Sequence, residues 1–306
     1  MGRGAPPNIC FREREICKLI FVTPPCEQYF ISDRFSFRRQ ELQSVDTTAP
    51  VDSPNREKYD LYSRDQEDNQ CALKVENLCK IYAGNHHALK NVTFDLKKGE
   101  CFGLLGANGA GKSTMFGILS GELIQTAGTV NLLERSKGVS YCPQTNALDM
   151  LLTVEEIIHF YGRLRCIDNL QQLTAHTLQS FHLQQYKDVL VKNLSGGNRR
   201  KLSVAVTCFG TTSIVLMDEP TSDMDPITRS LVYSAIKQLI QDKRSVILTS
   251  HTISEIDRVC HRIGVMRQGR MITIAPPDQL KTLYGNCYLI TVFYDLIEAL
   301  SIERVS

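Results

Sequence analysis

Gly106-Ala107-Asn108-Gly109-Ala110-Gly111-Lys112-Ser113 constrains this chain more than any other feature. The run fits G-x-x-x-x-G-K-[ST], and both flanks read as that motif requires. An apolar strand over residues 101–105 leads in, and a helix leads out. The glycines let consecutive backbone N–H groups turn inward as an anion nest, and the helix N-terminus adds its dipole. In a loop of this kind Lys112 reaches the β- and γ-phosphates and the Ser113 hydroxyl coordinates Mg²⁺. The expectation is an α/β chain that binds a nucleoside triphosphate.

Short apolar strands alternate with helical patterns from Ala72 onward, in keeping with that class. Residues 72–79 and 87–96 read as strands, with a turn over 97–100 before the strand that feeds the loop; residues 138–142 read as another. Thr153-Val154-Glu155-Glu156 is a capping box that opens a helix running to about Arg165. The longest uncharged run, residues 202–217, is too short and too polar for a membrane span of ~20 apolar residues. It divides better into the tail of a helix and a buried strand over 214–217. Residues 246–249 form a second such strand, apolar throughout as when both faces are covered. Between them Asp225-Pro226 starts a helix, with a carboxylate cap and proline in the first turn. Residues 263–266 and 271–274 flank Gln268-Gly269 as a hairpin.

The strand over 214–217 ends in Asp218-Glu219. Alone, an apolar strand ending in two acids means little. Beside a phosphate loop, Asp218 becomes the carboxylate that holds Mg²⁺ through water. Glu219 then stands where a general base for an attacking water belongs.

Composition excludes several other classes. The chain has 306 residues, 35 Lys and Arg against 33 Asp and Glu, and a formal net charge of +2, which is no field for non-specific nucleic-acid binding. Its 11 cysteines stand singly, without the paired spacing of a zinc site or a disulfide framework. They read as buried thiols in a reducing compartment. Residues 1–70 differ from the rest. Acids predominate from Glu41 to Gln70, Pro50 and Pro54 interrupt, and no apolar period settles, so the segment reads as a largely irregular linker or tail.

Leu194-Ser195-Gly196-Gly197-Asn198, shortly before Asp218, resembles the signature motif of ATP-binding-cassette ATPases. The chain looks like an ABC transporter nucleotide-binding domain, most similar to subfamily A, the lipid-exporter branch. Asn198 in place of glutamine, the run 100–106, Tyr141-Cys142-Pro143-Gln144, the run 152–156 and Thr249-Ser250-His251 all match that branch. The likeness covers roughly residues 72–292. It implies a P-loop NTPase fold of ABC-ATPase type: a mixed sheet core, an antiparallel β subdomain, and a helical subdomain carrying the signature. It implies a cassette over 71–285 and, over 286–306, the start of a C-terminal regulatory segment cut short. Tyr82 resembles the aromatic that stacks on adenine. Gln144 resembles the glutamine that touches Mg²⁺ and water, and His251 the switch histidine at the γ-phosphate.

The resemblance also implies a mechanism. Ser195 is a plausible N-cap for the helix beginning near Asn198, which would aim free N–H groups outward. In this family Ser195, Gly196 and Gly197 close over the ATP held by another copy. Two cassettes, identical or different, meet head to tail and bury two ATP molecules. ATP and Mg²⁺ are the implied cofactors, and Glu219, His251 and Lys112 the catalytic residues. The implied partners are a second cassette, a transmembrane domain outside this chain and, through it, a lipid; no nucleic acid is expected. The location would be the cytosolic face of a membrane. Ser222-Asp223-Met224-Asp225 departs from the family's D-loop, which usually has Gly or Ala at the second position. A carboxylate there faces a phosphate-rich interface, or else simply points to solvent. On the first reading Asp223→Gly raises ATP turnover. Two other functions compete: a soluble ABC ATPase acting on ribosomes or nucleic acid, which commonly has two cassettes or a coiled-coil insert, and a non-hydrolysing relic.

Overall fold

Two long strands open the described part of the chain. β1 (Cys71–Tyr82) and β2 (His86–Lys97) pair antiparallel and bury Leu73, Val75, Leu78, Leu89, Val92, Phe94 and Leu96. The first outruns its expected end at Cys79 because the pairs Ile81–His87 and Tyr82–His86 continue the ladder. Gly84 and Asn85 make the turn with left-handed backbone, φ 75° and 60°. The computed structural model describes residues 70–132, 138–222, 224–250 and 253–284. The readings made for residues 1–69, Asp223, His251 and 285–306 lie outside the described residues.

β3 (Cys101–Gly106) is buried along its whole length and passes through the glycine loop into α1 (Lys112–Leu119). β4 (Ala127–Leu132) then pairs with β1 and completes a three-stranded antiparallel sheet, ordered β2-β1-β4. The sequence reading lacks this strand. It lies at the sheet edge and has no fully buried residue, and its alternation is short, with only Val130 and Leu132 apolar on the inward face.

A helical region follows β5 (Val139–Cys142). α2 (Val154–Leu164) starts at the capping box: Thr153 Oγ1 accepts the Glu156 N–H at 3.2 Å, and Glu156 Oε2 accepts the Thr153 N–H at 2.8 Å. α3 (Leu170–Ser180), also unread in the sequence, is capped by Asn169, whose side chain accepts the Gln172 N–H. α4 (Gly196–Thr207) is capped by Ser195 and begins two residues earlier than expected. The uncharged run does divide: α4 ends at Thr207, and β6 (Ile214–Asp218) follows, wholly buried.

α5 (Pro226–Gln241) begins at Asp225, whose Oδ1 accepts the Ile227 and Thr228 N–H groups at 3.0 and 2.9 Å. The chain continues through β7 (Ser245–Thr249), α6 (Ile253–Val259), the hairpin β8 (Arg262–Arg267) and β9 (Arg270–Ala275), and α7 (Pro277–Tyr284). The second sheet has six strands ordered β5-β6-β7-β3-β8-β9, parallel except for β9. Its central strands are apolar throughout because each face meets its own core. Ile214, Leu216, Phe102, Leu104 and Ile247 enter the core shared with the antiparallel sheet and α1. Val215, Met217, Cys101, Leu105, Val246 and Leu248 enter the core beneath the helical region. The fold is the expected one: a mixed sheet, an antiparallel sheet and a helical part that carries Ser195 to Asn198.

Seven described cysteines are free thiols. Cys101, Cys142 and Cys260 are buried as expected, whereas Cys166 is exposed. No described helix is long and apolar enough to cross a membrane.

Candidate functional site

The sheet order sets β3, β7 and β6 side by side, with Leu104 opposite Thr249 and Thr249 opposite Asp218. The glycine loop and both acids therefore emerge at the carboxyl ends of adjacent parallel strands, where open α/β sheets bind ligands. A cavity of about 610 Å³ opens there. Tyr82, Asn108, Gly109, Ala110, Gly111, Lys112, Ser113, Thr114, Gln144, Asp218 and Glu219 all line it. Residues up to 187 positions apart in the chain, from Tyr82 to Gly269, thus converge on one hollow.

The loop is tightly held from outside. Gly111, the residue before α1, has φ 105°, and a Cβ there would stand 2.7 Å from the Ala88 carbonyl oxygen. Only glycine satisfies both the backbone angle and the close approach. The hairpin tip contributes too, since the Gly269 N–H donates to the Ala110 carbonyl at 3.0 Å. Gln268 and Gly269 line the cavity, a role invisible in a sequence where they read as an ordinary turn.

Gly106 and Ala107 lie outside the lining and act through their carbonyls. The Lys112 ammonium donates to Gly106 O at 2.6 Å and to Ala107 O at 3.3 Å. The side chain thus folds back over its own loop. Burial pushes its pKa down, and the nearby Glu219 and Asp218 carboxylates partly oppose that. Tyr82 stands at the far end with its ring partly exposed and its hydroxyl 3.4 Å from Thr114 Oγ1. The His86 ring stacks beside it, 6.4 Å between centroids.

Thr249 organises the two acids. Its hydroxyl donates to Asp218 Oδ1 at 2.5 Å and accepts the Glu219 N–H at 2.9 Å. Glu219 needs such support because its backbone is left-handed, φ 46°, which is uncommon without glycine. Gln144 Nε2 donates to Glu219 Oε2 at 3.3 Å. Burial raises the Asp218 pKa above its ordinary 3.8, more than Thr249, Lys112 and Arg200 lower it. Between 3.8 and the raised value the folded chain keeps a proton that the unfolded chain has released. Stability therefore falls as pH rises through that window, and above it the buried anion remains a cost that a bound cation would offset. The sequence reading noted Thr249 only as part of a matching run. Its clamp depends on strand pairing and left no local signal.

Thr249→Val tests the clamp, since it keeps the shape and removes both hydrogen bonds. It is expected to cost about 1–3 kcal/mol, the usual penalty for leaving buried polar groups unpaired. Calorimetry should show a melting temperature lower by roughly 2–12 °C.

Ser195, Gly196 and Gly197 do not line the cavity. They form the start of α4, with Ser195 and Gly196 exposed and Ser195 Oγ accepting the Asn198 N–H at 3.2 Å. The molecule therefore presents two separate helix N-termini suited to anions: α1 inside the cavity and α4 outside it.

A phosphate loop, an acid-tipped neighbouring strand and a second exposed helix start, on this pair of sheets, define an ATP-binding-cassette fold. Comparison with known proteins agrees. The ABC transporter family model matches residues 89–222. The bovine retinal-specific phospholipid-transporting ATPase ABCA4 is 37% identical over 232 residues, 72% of this chain and 10% of that protein. The human glucosylceramide transporter ABCA12 is 38% identical over 219 residues, 67% of this chain and 8% of that protein. Rat ATP-binding cassette sub-family A member 2 is 36% identical over 289 residues, 89% of this chain and 12% of that protein. Among solved structures, an ATP binding subunit of an ABC transporter superposes with a TM-score of 0.67 at 21% identity, covering 74% of this chain and 99% of that one. The ATP-binding cassette MJ0796, solved as a dimer in a post-hydrolysis state with ADP and Pi, gives 0.62 at 24%, covering 67% and 98%. The chain carries a nucleotide-binding cassette of the ABC transporter family, and the three curated relatives named above carry subfamily A names. It spans about a tenth of the length of the curated relatives it matches.

Proposed function

We propose that this cassette binds and hydrolyses ATP to power transmembrane transport, closing head to tail on a second cassette as it does so. One observation supports the reading: the cavity is lined by the phosphate loop, the Lys112 ammonium and two carboxylates, while the second helix start, at Ser195, lies outside that lining and is exposed. Among the described residues one cavity carries a phosphate loop, and it leaves the second helix start unused; a partner cassette has a use for it.

In this reading Gly106, Ala107, Asn108, Gly109, Ala110 and Gly111 form the phosphate cradle, with Thr114 beside it and Tyr82 under the adenine. Lys112 leaves its two carbonyls for the β- and γ-phosphates. Ser113, Gln144 and Asp218 would hold Mg²⁺, which neutralises charge on the phosphate oxygens. That donor set suits a hard cation, because hydroxyl, amide and carboxylate oxygens are the ligands such ions take, all three residues line the cavity, and burial disfavours the Asp218 anion. Glu219 takes the proton of the attacking water, and Gln144 fixes its carboxylate. His251 is assigned to the γ-phosphate by resemblance. Ser195, Gly196 and Gly197 complete the site of the partner cassette. Closure requires contacts to the γ-phosphate that ADP lacks, so hydrolysis opens the pair. The cargo is a lipid, as the names of the relatives suggest, and it moves through a membrane domain to which the cassette is coupled at the cytosolic face.

Light scattering on the Glu219→Gln chain tests this. The mass should double with Mg-ATP and return to that of the monomer with Mg-ADP. A monomer under every condition would count against self-pairing, and if a second, different cassette also fails to pair, against head-to-tail closure itself.

A further inference from the structure

The helix that begins at Ser195 also reaches into its own chain's cavity wall through one buried side chain. Arg200, on α4, is 3% exposed. A guanidinium has five N–H donors in a rigid fork. Here each finds a main-chain carbonyl. Nη1 donates to Pro143 O and, at 3.2 Å, to Gln144 O. Nη2 donates to Asp218 O and, at 3.0 Å, to Glu219 O. Nε donates to Pro220 O at 3.4 Å. One half of the fork grips the segment after β5 and the other half the end of β6 and the residues that follow it.

Those two segments carry the side chains that meet over the cavity, Gln144 and Glu219, 3.3 Å apart. The Glu219 backbone is left-handed and so needs outside support to stay where it is. Thr249 holds its N–H, and Arg200 holds its carbonyl. The same helix is capped by Ser195, five residues earlier. A displacement of α4 at its exposed start therefore carries the guanidinium, and with it both carbonyl sets.

We propose that Arg200 is a positioning residue that fixes Gln144 and Glu219 relative to each other and ties their placement to the helix start at Ser195. The proposal deepens the hydrolytic reading above and rests on it. Engagement of Ser195 by a partner cassette would then be felt at Glu219 through one side chain rather than through the bulk of the fold. Lysine cannot replace the fork fully, having three donors on a point charge, and methionine keeps the length with no donor at all.

The test uses the 306-residue chain with Arg200→Met and Arg200→Lys. Misplacement of a catalytic group by about 1 Å can cost on the order of 100-fold, so kcat for ATP should fall at least ~10-fold in Arg200→Met. The Kd of a fluorescent ATP analogue measured without Mg²⁺ should stay within about 2-fold, because the phosphate loop is untouched. Arg200→Lys should recover part of kcat. Amide hydrogen exchange in Arg200→Met should rise in residues 143–146 and 218–222 together. A kcat within about 2-fold of wild type overturns the proposal, as does equal loss of kcat and binding without local exchange. Should Arg200→Met fail to fold, Arg200→Lys decides on the same readouts, with unchanged kcat and exchange counting against the role. A wild-type chain that turns over no ATP would sink the hydrolytic reading, while the exchange comparison would still judge Arg200.

Discussion

Lys112→Ala is expected to weaken ATP binding by roughly 100- to 10,000-fold while shifting the melting temperature by only a few degrees. Charge-assisted hydrogen bonds contribute about 1.5–3 kcal/mol each, and Lys112 would supply two of them to the phosphates. Stability is another matter. The ammonium is buried, its pKa is pushed down by desolvation more than the Glu219 and Asp218 carboxylates raise it, and it donates to the Gly106 and Ala107 carbonyls of its own loop. At any pH below that lowered pKa the fold bears the cost of burying a cation. Removing it trades two hydrogen bonds for relief of that cost, so the two effects largely cancel. Titration with a fluorescent ATP analogue, beside a thermal melt, separates them. Unchanged affinity would remove Lys112 from the phosphate site.

Glu219→Gln should lower steady-state phosphate release by about 100- to 10,000-fold, the span that positioned general bases contribute, with ATP affinity unchanged. The substitution preserves shape, leaves the main-chain hydrogen bonds to Thr249 and Arg200 in place, and keeps an oxygen for the Gln144 amide. What it removes is the ability to accept a proton. A variant within about 3-fold of wild type would show that some other group does the proton transfer.

What could be read from residues alone was whatever local chemistry encodes. The glycine loop, the Thr153–Glu156 capping box, the Asp225-Pro226 helix start and the apolar strand ending in Asp218 each act over a few residues, and the structure carries all four. Elements whose stability comes from neighbours were harder. β4 alternates over only six residues and α3 buries two threonines beside Leu178, so the apolar signal of each is weak. Least legible were the supports of the site. Thr249 lies 31 positions from the carboxylate it binds, Gly269 meets Ala110 from a distant hairpin, and Arg200 grips carbonyls of residues up to 57 positions away. Carbonyls carry no residue identity, so a side chain that binds only main chain leaves no pairing pattern to find.

Two inactivated chains give the most direct test of the central claim, that each nucleotide site is completed by another cassette. Lys112→Ala disables the phosphate loop, and Ser195→Arg blocks the exposed start of α4. Each alone should hydrolyse ATP at only a few per cent of the wild-type rate, since contacts made only in the closed state set the barrier. Mixed in equal amounts, they should recover a substantial part of that rate, because a mixed pair holds one site with both halves intact. Full activity in the Ser195→Arg chain by itself would contradict the account, for the cavity would then be complete without a partner.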